Sequence, residues 1–193
     1  MTSVVWKLKS IVAATCLFVA ATCLFVAATG MAAGQSALLD PLFERLKNVD
    51  AADAPALEAK IRQEWSKSGS AAADLLLSRA KIAIDAGDQK AAMGYLTALT
   101  DHAPEFAEGW NLSAVTLFNM GKIGPALAAL ERTLALEPRH FQALEGLVLI
   151  FDDAGLYQEA FEILRRIEAI HPHAEILSKA RTRLEAKTLG QAL

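Results

Sequence analysis

Three histidines, His140, His171 and His173, are the side chains of this sequence best suited to chemistry. They fall near predicted turns, and if those turns met at one edge their imidazoles could bind a metal ion. No two of them have the i, i+4 spacing of a helical metal site, and no cysteine lies near them. Exposed turns also accept histidine without any function. We therefore expect no metal and no cofactor, with metal binding or hydrolysis through these histidines as an alternative.

A second candidate is the Asp101-His102 pair, which lies near serine and threonine residues. A nucleophilic serine is usually presented on a strand-turn-helix elbow, and no such pattern surrounds this pair. Cysteine chemistry is restricted as well, because Cys16 and Cys23 both lie in an apolar N-terminal segment. The sequence therefore predicts a protein that is not an enzyme and has no catalytic residues.

The N-terminal segment, residues 1–33, has the pattern of an export signal. Lys7 and Lys9 precede an apolar run, and small residues follow it, so we expect cleavage near Ala32 or Ala33. The run is long because the heptad VAATCLF occurs twice in succession. About 18 to 20 apolar residues can also span a bilayer, so an uncleaved anchor is the alternative. Both interpretations place the following domain outside the cytoplasm, in the periplasm if the signal is cleaved.

Cleavage would leave a negatively charged chain. Removing Lys7 and Lys9 leaves 17 of the 19 basic residues against 22 acidic ones, a net charge of −5. Such a balance argues against nucleic acid as a partner. A basic or neutral partner is easier to accommodate.

The rest of the sequence reads as helix, and four landmarks recur in it every 34 residues. The landmarks are Gly87, Gly121 and Gly155; Ala92, Ala126 and Ala160; Leu96, Leu130 and Leu164; and Pro104, Pro138 and Pro172. A fixed period of this length indicates a stack of similar helical units. Glycine in the left-handed conformation closes the first helix of a unit, and proline ends the second.

This pattern resembles the tetratricopeptide repeat (TPR). Residues 107–140 match its signature best, although a serine at position 113 stands where leucine is expected. The matching residues are Trp110, Ala114, Leu117, Ala126, Leu130 and Pro138. Residues 73–106 and 141–174 follow the same register. The resemblance implies an all-α fold in which helix-turn-helix repeats stack as a right-handed α-solenoid, preceded by the signal helix.

Two flanking segments complete the predicted organisation. Residues 38–68 form a divergent N-terminal helix pair that caps the stack, because Glu58 stands where the repeat needs a small alanine. Residues 175–188 form a C-terminal capping helix, which repeat stacks need for solubility. Within the repeats Trp110 is expected to pack in the core, and Trp65 could be either core or contact.

The resemblance also implies where a partner binds, since the first helices of such a stack line its concave surface. The face left free by packing gives the candidate groove: Asp74, Leu77, Lys81, Ile84, Asp85, Glu108, Asn111, Val115, Phe118, Asn119, Gln142, Glu145, Leu149, Asp152 and Asp153. Six carboxylates and one lysine favour a protein or peptide segment with basic and apolar residues. The alternative is an acidic, solvated face with no ligand. Leu77 and Leu112 exclude the family's carboxylate clamp, which has polar ligands at these positions.

The sequence therefore predicts an exported, periplasmic scaffold or adaptor that binds a protein or peptide in its concave groove, with Phe118 as the best single candidate for contact. The alternative is a membrane-anchored assembly factor of the cell envelope or of cytochrome maturation. In that case the membrane is contacted only through the uncleaved N-terminal segment.

Overall fold

The computed structural model describes residues 38–191, with side chains described for residues 38–187. Residues 38–41 belong to a separate unit, and the architecture given below is that of the unit beginning at Leu42. The predicted export signal and its cleavage site lie outside the described residues. No helix within residues 38–191 is long and apolar enough to cross a membrane.

The described residues are helical and contain no strand. The helices are α1 (38–48), α2 (Ala54–Trp65), α3 (Ala71–Asp85), α4 (Gln89–His102), α5 (Ala107–Asn119), α6 (Ile123–Leu136), α7 (Phe141–Asp153), α8 (Tyr157–Ile170) and α9 (Glu175–Gln191). From α3 to α9 each helix packs mainly on the helices before and after it in the sequence. This sequential packing of helix pairs is that of an α-solenoid, so the predicted fold class is confirmed.

The turn inside each repeat has the predicted glycine geometry. Gly87, Gly121 and Gly155 have φ angles of 73°, 72° and 76°, which glycine adopts without the strain a Cβ atom would cause. In each turn the amide N–H of the residue after the glycine donates to a carbonyl oxygen five residues earlier, at 2.8 to 2.9 Å. These bonds satisfy the last carbonyl groups of the first helix. The three turns are therefore equivalent, as their spacing predicts.

The centre of the stack is built from small and large apolar residues in contact. Ala114 and Ala126 are buried together with Leu130 in one cluster formed by α5, α6 and α7. Trp110 packs against this cluster, and its indole Nε1 donates a hydrogen bond of 2.9 Å to the carbonyl oxygen of Pro104. The small alanines let the helices of a pair approach closely, while the larger side chains fill the space beside them.

At the C-terminal end, α9 packs against α8. Leu177, Ala180 and Leu184 of α9 share a buried apolar cluster with Leu164 and Ile167 of α8. The last repeat therefore has its outer face covered by an apolar helix face.

At the N-terminal end, no other helix within residues 38–191 covers the outer face of α3. Leu75 and Ile82 are 58% and 61% exposed, whereas Ala143 and Ile150, two repeat lengths further on, are buried against the preceding helix pair. The expectation that residues 38–68 cap the first repeat is therefore wrong. The N-terminal pair, defined as residues 42–66 with α2 as its second helix, makes its contacts elsewhere.

Two local features explain why α2 leaves the repeat register. In that register Glu58 and Arg62 would take the positions of the buried Ala126 and Leu130, so two charged groups would be buried; instead they form an ion pair with partly exposed side chains. The junction after α2 also differs. Gly69 has φ of +77°, whereas Ala103 and its counterpart one repeat later, Glu137, have negative φ angles of −132° and −133°.

Candidate partner-binding groove

The first helices of the repeats lie side by side and form one surface, the groove. Helix α5 contacts α7, and the ammonium group of Lys81 on α3 lies 3.6 Å from a carboxylate oxygen of Glu108 on α5. The predicted groove residues lie on these three helices. The structure separates them into a closed half, next to the starts of α5 and α7, and an open half, next to their ends.

Aromatic side chains of the N-terminal pair cover the closed half. The indole ring of Trp65 stacks on the imidazole of His140, with 4.0 Å between ring centroids and 9° between planes. Trp65 also contacts Phe141, at 4.8 Å between centroids. The guanidinium carbon of Arg139 lies 4.4 Å from the centre of the Phe43 ring, within cation–π range. The start of α7, with His140 and Phe141, is therefore the surface on which the pair docks.

Polar contacts extend this docking along the edge of the repeats. The Nε2 atom of His171 lies 3.4 Å from a carboxylate oxygen of Glu58, and the Nε2 atom of His173 lies 2.9 Å from the carbonyl oxygen of Val49. At the other end of α2, the ammonium group of Lys81 donates a hydrogen bond of 2.9 Å to Ser66. The pair thus contacts α3, α7 and the turn before α9.

The sequence suggested that these histidines are exposed turn residues. For two of the three this expectation is wrong. Of the three candidate metal-binding histidines, His140 and His171 are buried and His173 is exposed. The amide N–H of Ala143 donates to Nδ1 of His140 at 3.3 Å, so Nε2 carries the proton that His140 shares with Glu108, also at 3.3 Å. Burial lowers the pKa of His171, although the Glu58 carboxylate opposes this change. Among the residues described, no three His, Cys, Asp or Glu side chains converge on a metal position.

Several predicted groove residues are not available to a partner. Leu77 is buried in the apolar cluster between α3 and α4, so its assignment to the groove is wrong. Glu108 and Asn111 are buried as well, with the Asn111 amide donating to the Glu108 carboxylate at 3.2 Å. Gln142 is partly buried on α7. Burial and the neighbouring Glu58 carboxylate raise the pKa of Glu145 to about 7, against the smaller opposing effect of Arg62.

Two of the six predicted groove carboxylates, Glu108 and Asp152, are paired with cations of the chain itself. Glu108 contacts Lys81 and His140, and Asp74 accepts hydrogen bonds from the backbone and hydroxyl of Ser68 at 2.9 and 2.6 Å. Asp152 pairs with two cations of α9, Arg183 and Lys187. For these two carboxylates the protein itself supplies the basic groups that were expected from a partner.

The open half keeps an apolar surface. Val115, Phe118 and Leu149 are 41%, 37% and 52% exposed, and Ile84 on α3 is partly buried against the α3–α4 cluster. Asp85, Asn119 and Asp153 are exposed around these side chains. Val115 and Leu149 stand one repeat length apart, so they occupy equivalent positions on neighbouring helices. The open half is therefore an apolar strip with polar ends.

Sequence reasoning missed the docking surface formed by His140 and Phe141. One signal pointed towards it: Leu57, Ile61 and Trp65 make an apolar face on α2 that the repeat register leaves without a partner. The apolar face of an amphipathic helix must pack against another part of the protein. The sequence did not reveal which part of the stack would do so.

Comparison with known proteins identifies the repeats. The family model described as tetratricopeptide repeat matches residues 111–175. A TPR repeat-containing protein of Rhizobium etli is 36% identical over 135 residues, which are 69% of this chain. The chain is a tetratricopeptide repeat protein. The matched region spans 66% of the length of that relative.

A solved structure, the MamA RS-1 ArsTM double mutant, resembles this TPR protein in fold. Its TM-score is 0.50 at 21% sequence identity, over 53% of this chain and 58% of the other. At this identity the similarity concerns the fold alone.

Proposed function

We propose that this TPR protein is an exported, non-enzymatic adaptor that binds a segment of a partner protein in the open half of its groove. One observation supports this most directly: Val115, Phe118 and Leu149 are large apolar side chains, exposed together on helices that TPR proteins use for interaction. Apolar groups grouped in this way on a surface mark an interaction site. The TPR family generally mediates contacts between proteins and is typically not catalytic.

The ends of the open half suggest the chemistry of the partner segment. Asp85 and Asp153 are exposed, and neither forms an ion pair with any residue in the described range. The amide of Asn119 can donate to and accept from a peptide backbone. We therefore expect a segment with apolar residues at its centre and a lysine or arginine towards at least one end.

Photocrosslinking in the native cell tests this site. A photoreactive phenylalanine analogue in place of Phe118 should capture a discrete partner, whereas the same analogue at Glu131, exposed on α6 away from the groove, should not. A Leu149→Asp change should abolish the Phe118 adduct and leave the helical circular dichroism unchanged, because Leu149 is exposed. Capture of the same protein from position 131, or no capture from position 118, would contradict the proposal.

Export is tested separately by fractionation and by the mass of the N-terminus. A chain beginning near Gly34 in the periplasmic fraction supports a cleaved signal. An intact N-terminus in the membrane fraction supports the membrane-anchored assembly factor instead. A full-length chain in the cytoplasmic fraction contradicts both.

A further inference from the structure

The turns that join the two helices of the second and third repeats carry large apolar side chains at exposed positions. Met120 and Ile123 in the second turn and Leu156 in the third turn are 37% to 44% exposed. The corresponding positions of the first turn hold small or polar residues: Ala86, Gln89 and Asp88. We call residues 120–123 and 154–157 the turn edge. Large apolar side chains on exposed turns make this edge a candidate for interaction.

Leu156 occupies a backbone position at which a polar side chain would cap helix α8. It directly precedes α8, as Asp88 precedes α4, and the two residues have similar backbone angles, φ −84° and ψ 64° against φ −83° and ψ 78°. The Asp88 carboxylate accepts a hydrogen bond of 2.9 Å from the amide of Ala91, whereas leucine has no acceptor to offer. Leucine is among the least favoured residues at this position. The third turn therefore lacks a stabilising cap and exposes an apolar side chain in its place.

The second turn carries an exposed cation, Lys122, directly before α6. A polar cap is not needed here, because the third residue of the helix is Pro125, which has no N–H. A positive charge at the start of a helix nevertheless opposes the helix dipole. Lys122 forms no ion pair with any residue in the described range. Lys122 and Leu156 are thus residue types that their own helices do not favour, which is typical of functional positions.

The turn edge adjoins the open half of the groove. Met120 lies two residues after Phe118, and the second and third turns follow directly from the ends of α5 and α7, the helices that carry Val115 and Leu149. In the first repeat Ile84 takes the position of Phe118, is partly buried, and precedes a polar turn. The same two repeats therefore carry both the apolar strip of the groove and the apolar side chains of the turn edge.

We propose that the turn edge extends the binding site of the open half, so that the partner segment continues from the groove over the second and third turns. There the segment packs an apolar residue against Leu156 and Ile123 and places a carboxylate opposite Lys122. The segment then carries both signs of charge, with a lysine or arginine for Asp85 or Asp153. This extension rests on the proposed function, because it concerns a further part of the same partner.

Photocrosslinking of the full chain in the native cell tests the extension. A photoreactive phenylalanine analogue at Leu156 should capture the same protein as the analogue at Phe118. In a chain with the analogue at Phe118, Leu156→Asp should lower the adduct yield by about fivefold, because a charge replaces an apolar contact. It should not lower the melting temperature, since the new carboxylate can cap α8. The reciprocal change, Asp88→Leu, should lower the melting temperature and leave the yield unchanged.

The charge of the partner segment is tested in the same way. Lys122→Glu should lower the yield of the Phe118 adduct by about threefold, because a carboxylate of the partner would then meet a like charge. The matched variant is Lys90→Glu, at an exposed lysine beside the first turn, and it should leave the yield unchanged. Equal yields for the two variants would overturn the assignment of a carboxylate to the partner segment.

The outcomes separate this extension from the proposed function. If Phe118 captures a protein and Leu156 does not, or if Leu156→Asp leaves the adduct yield unchanged, the extension is wrong and the proposed function stands. A melting temperature several degrees lower for Leu156→Asp would mean that Leu156 serves packing, which also overturns the extension. If Phe118 captures nothing, both proposals fail.

Discussion

The two ends of the repeat stack are completed in opposite ways. At the C-terminal end, leucine and alanine side chains of α9 pack against α8, and the outer face of α8 is buried. At the N-terminal end α2 would offer Glu58 and Arg62 in the same register, and Leu75 and Ile82 of α3 stay exposed instead. Both segments are helices of suitable length at suitable spacing. The comparison indicates that an apolar contact face, rather than helix length or spacing, decides whether a helix joins the stack.

The largest expected effect lies at the covered end. Leu184→Ala removes a buried side chain from the α8–α9 cluster and should lower the free energy of unfolding by about 2 to 5 kcal/mol. Urea denaturation followed by circular dichroism measures this change. A change within experimental error would mean that α9 does not stabilise the last repeat.

A smaller effect is expected at a small buried residue of the cluster formed by α5, α6 and α7. Ala126 is buried at the repeat position that corresponds to Glu58, and Ala126→Trp should cost about 1 to 3 kcal/mol by overpacking. The matched variant is Ala128→Trp, at an exposed position of the same helix. Equal melting temperatures for the two variants would show that this position does not require a small residue, and the account of why α2 leaves the register would fail.

A pH-dependent effect is expected at the docking of α2. The pKa of Glu145 is raised from 4.5 to about 7 in the folded protein, so its contribution to stability is fully present below pH 4.5 and is lost as the pH rises through 7. Glu145→Gln should therefore be more stable than the unaltered chain at pH 8, by about 1 kcal/mol after allowance for solvent screening.

His171 acts in the opposite direction in the same pH range. Its pKa is lowered from 6.5 in the folded protein. Its contribution to the free energy of unfolding is therefore present above pH 6.5 and is lost as the pH falls through its folded-state pKa. The difference between the unaltered and Glu145→Gln chains isolates the carboxyl group. Stability profiles that run parallel from pH 4.5 to 8 would contradict the assignment.

The smallest effect is expected at the uncovered end. Ile82→Ser should change the free energy of unfolding by less than about 0.5 kcal/mol, because Ile82 is already exposed to solvent. Its counterpart two repeats later, Ile150, is buried, and Ile150→Ser should cost several times more. Chemical denaturation of the two variants side by side makes the comparison. If both variants lose the same free energy of unfolding, the side chain of Ile82 must be buried in solution.

The repeat landmarks predict the fold well because each meets a local backbone requirement. Gly121 closes a helix through its own φ angle, and Pro138 ends one through its missing N–H. The docking of α2 depends instead on contacts between distant residues, such as Glu58 with His171, 113 positions apart. No local pattern encodes such a contact. The exposed positions Val115 and Phe118 followed from repeat spacing, whereas the burial of Glu108 depends on what lies over the groove.

The docking of the N-terminal pair has a consequence for the order of folding. Each repeat contacts its neighbours in the sequence, so the stack can form stepwise as the chain is synthesised. Val49, by contrast, contacts His173, which lies 124 positions later in the sequence. Trp65 can stack on His140 only once the start of α7 has formed. Such long-range contacts are slow to close. The segment that leaves the ribosome before the repeats therefore cannot complete its docking until the chain has been made as far as His173, and until then the partners of its apolar face are missing.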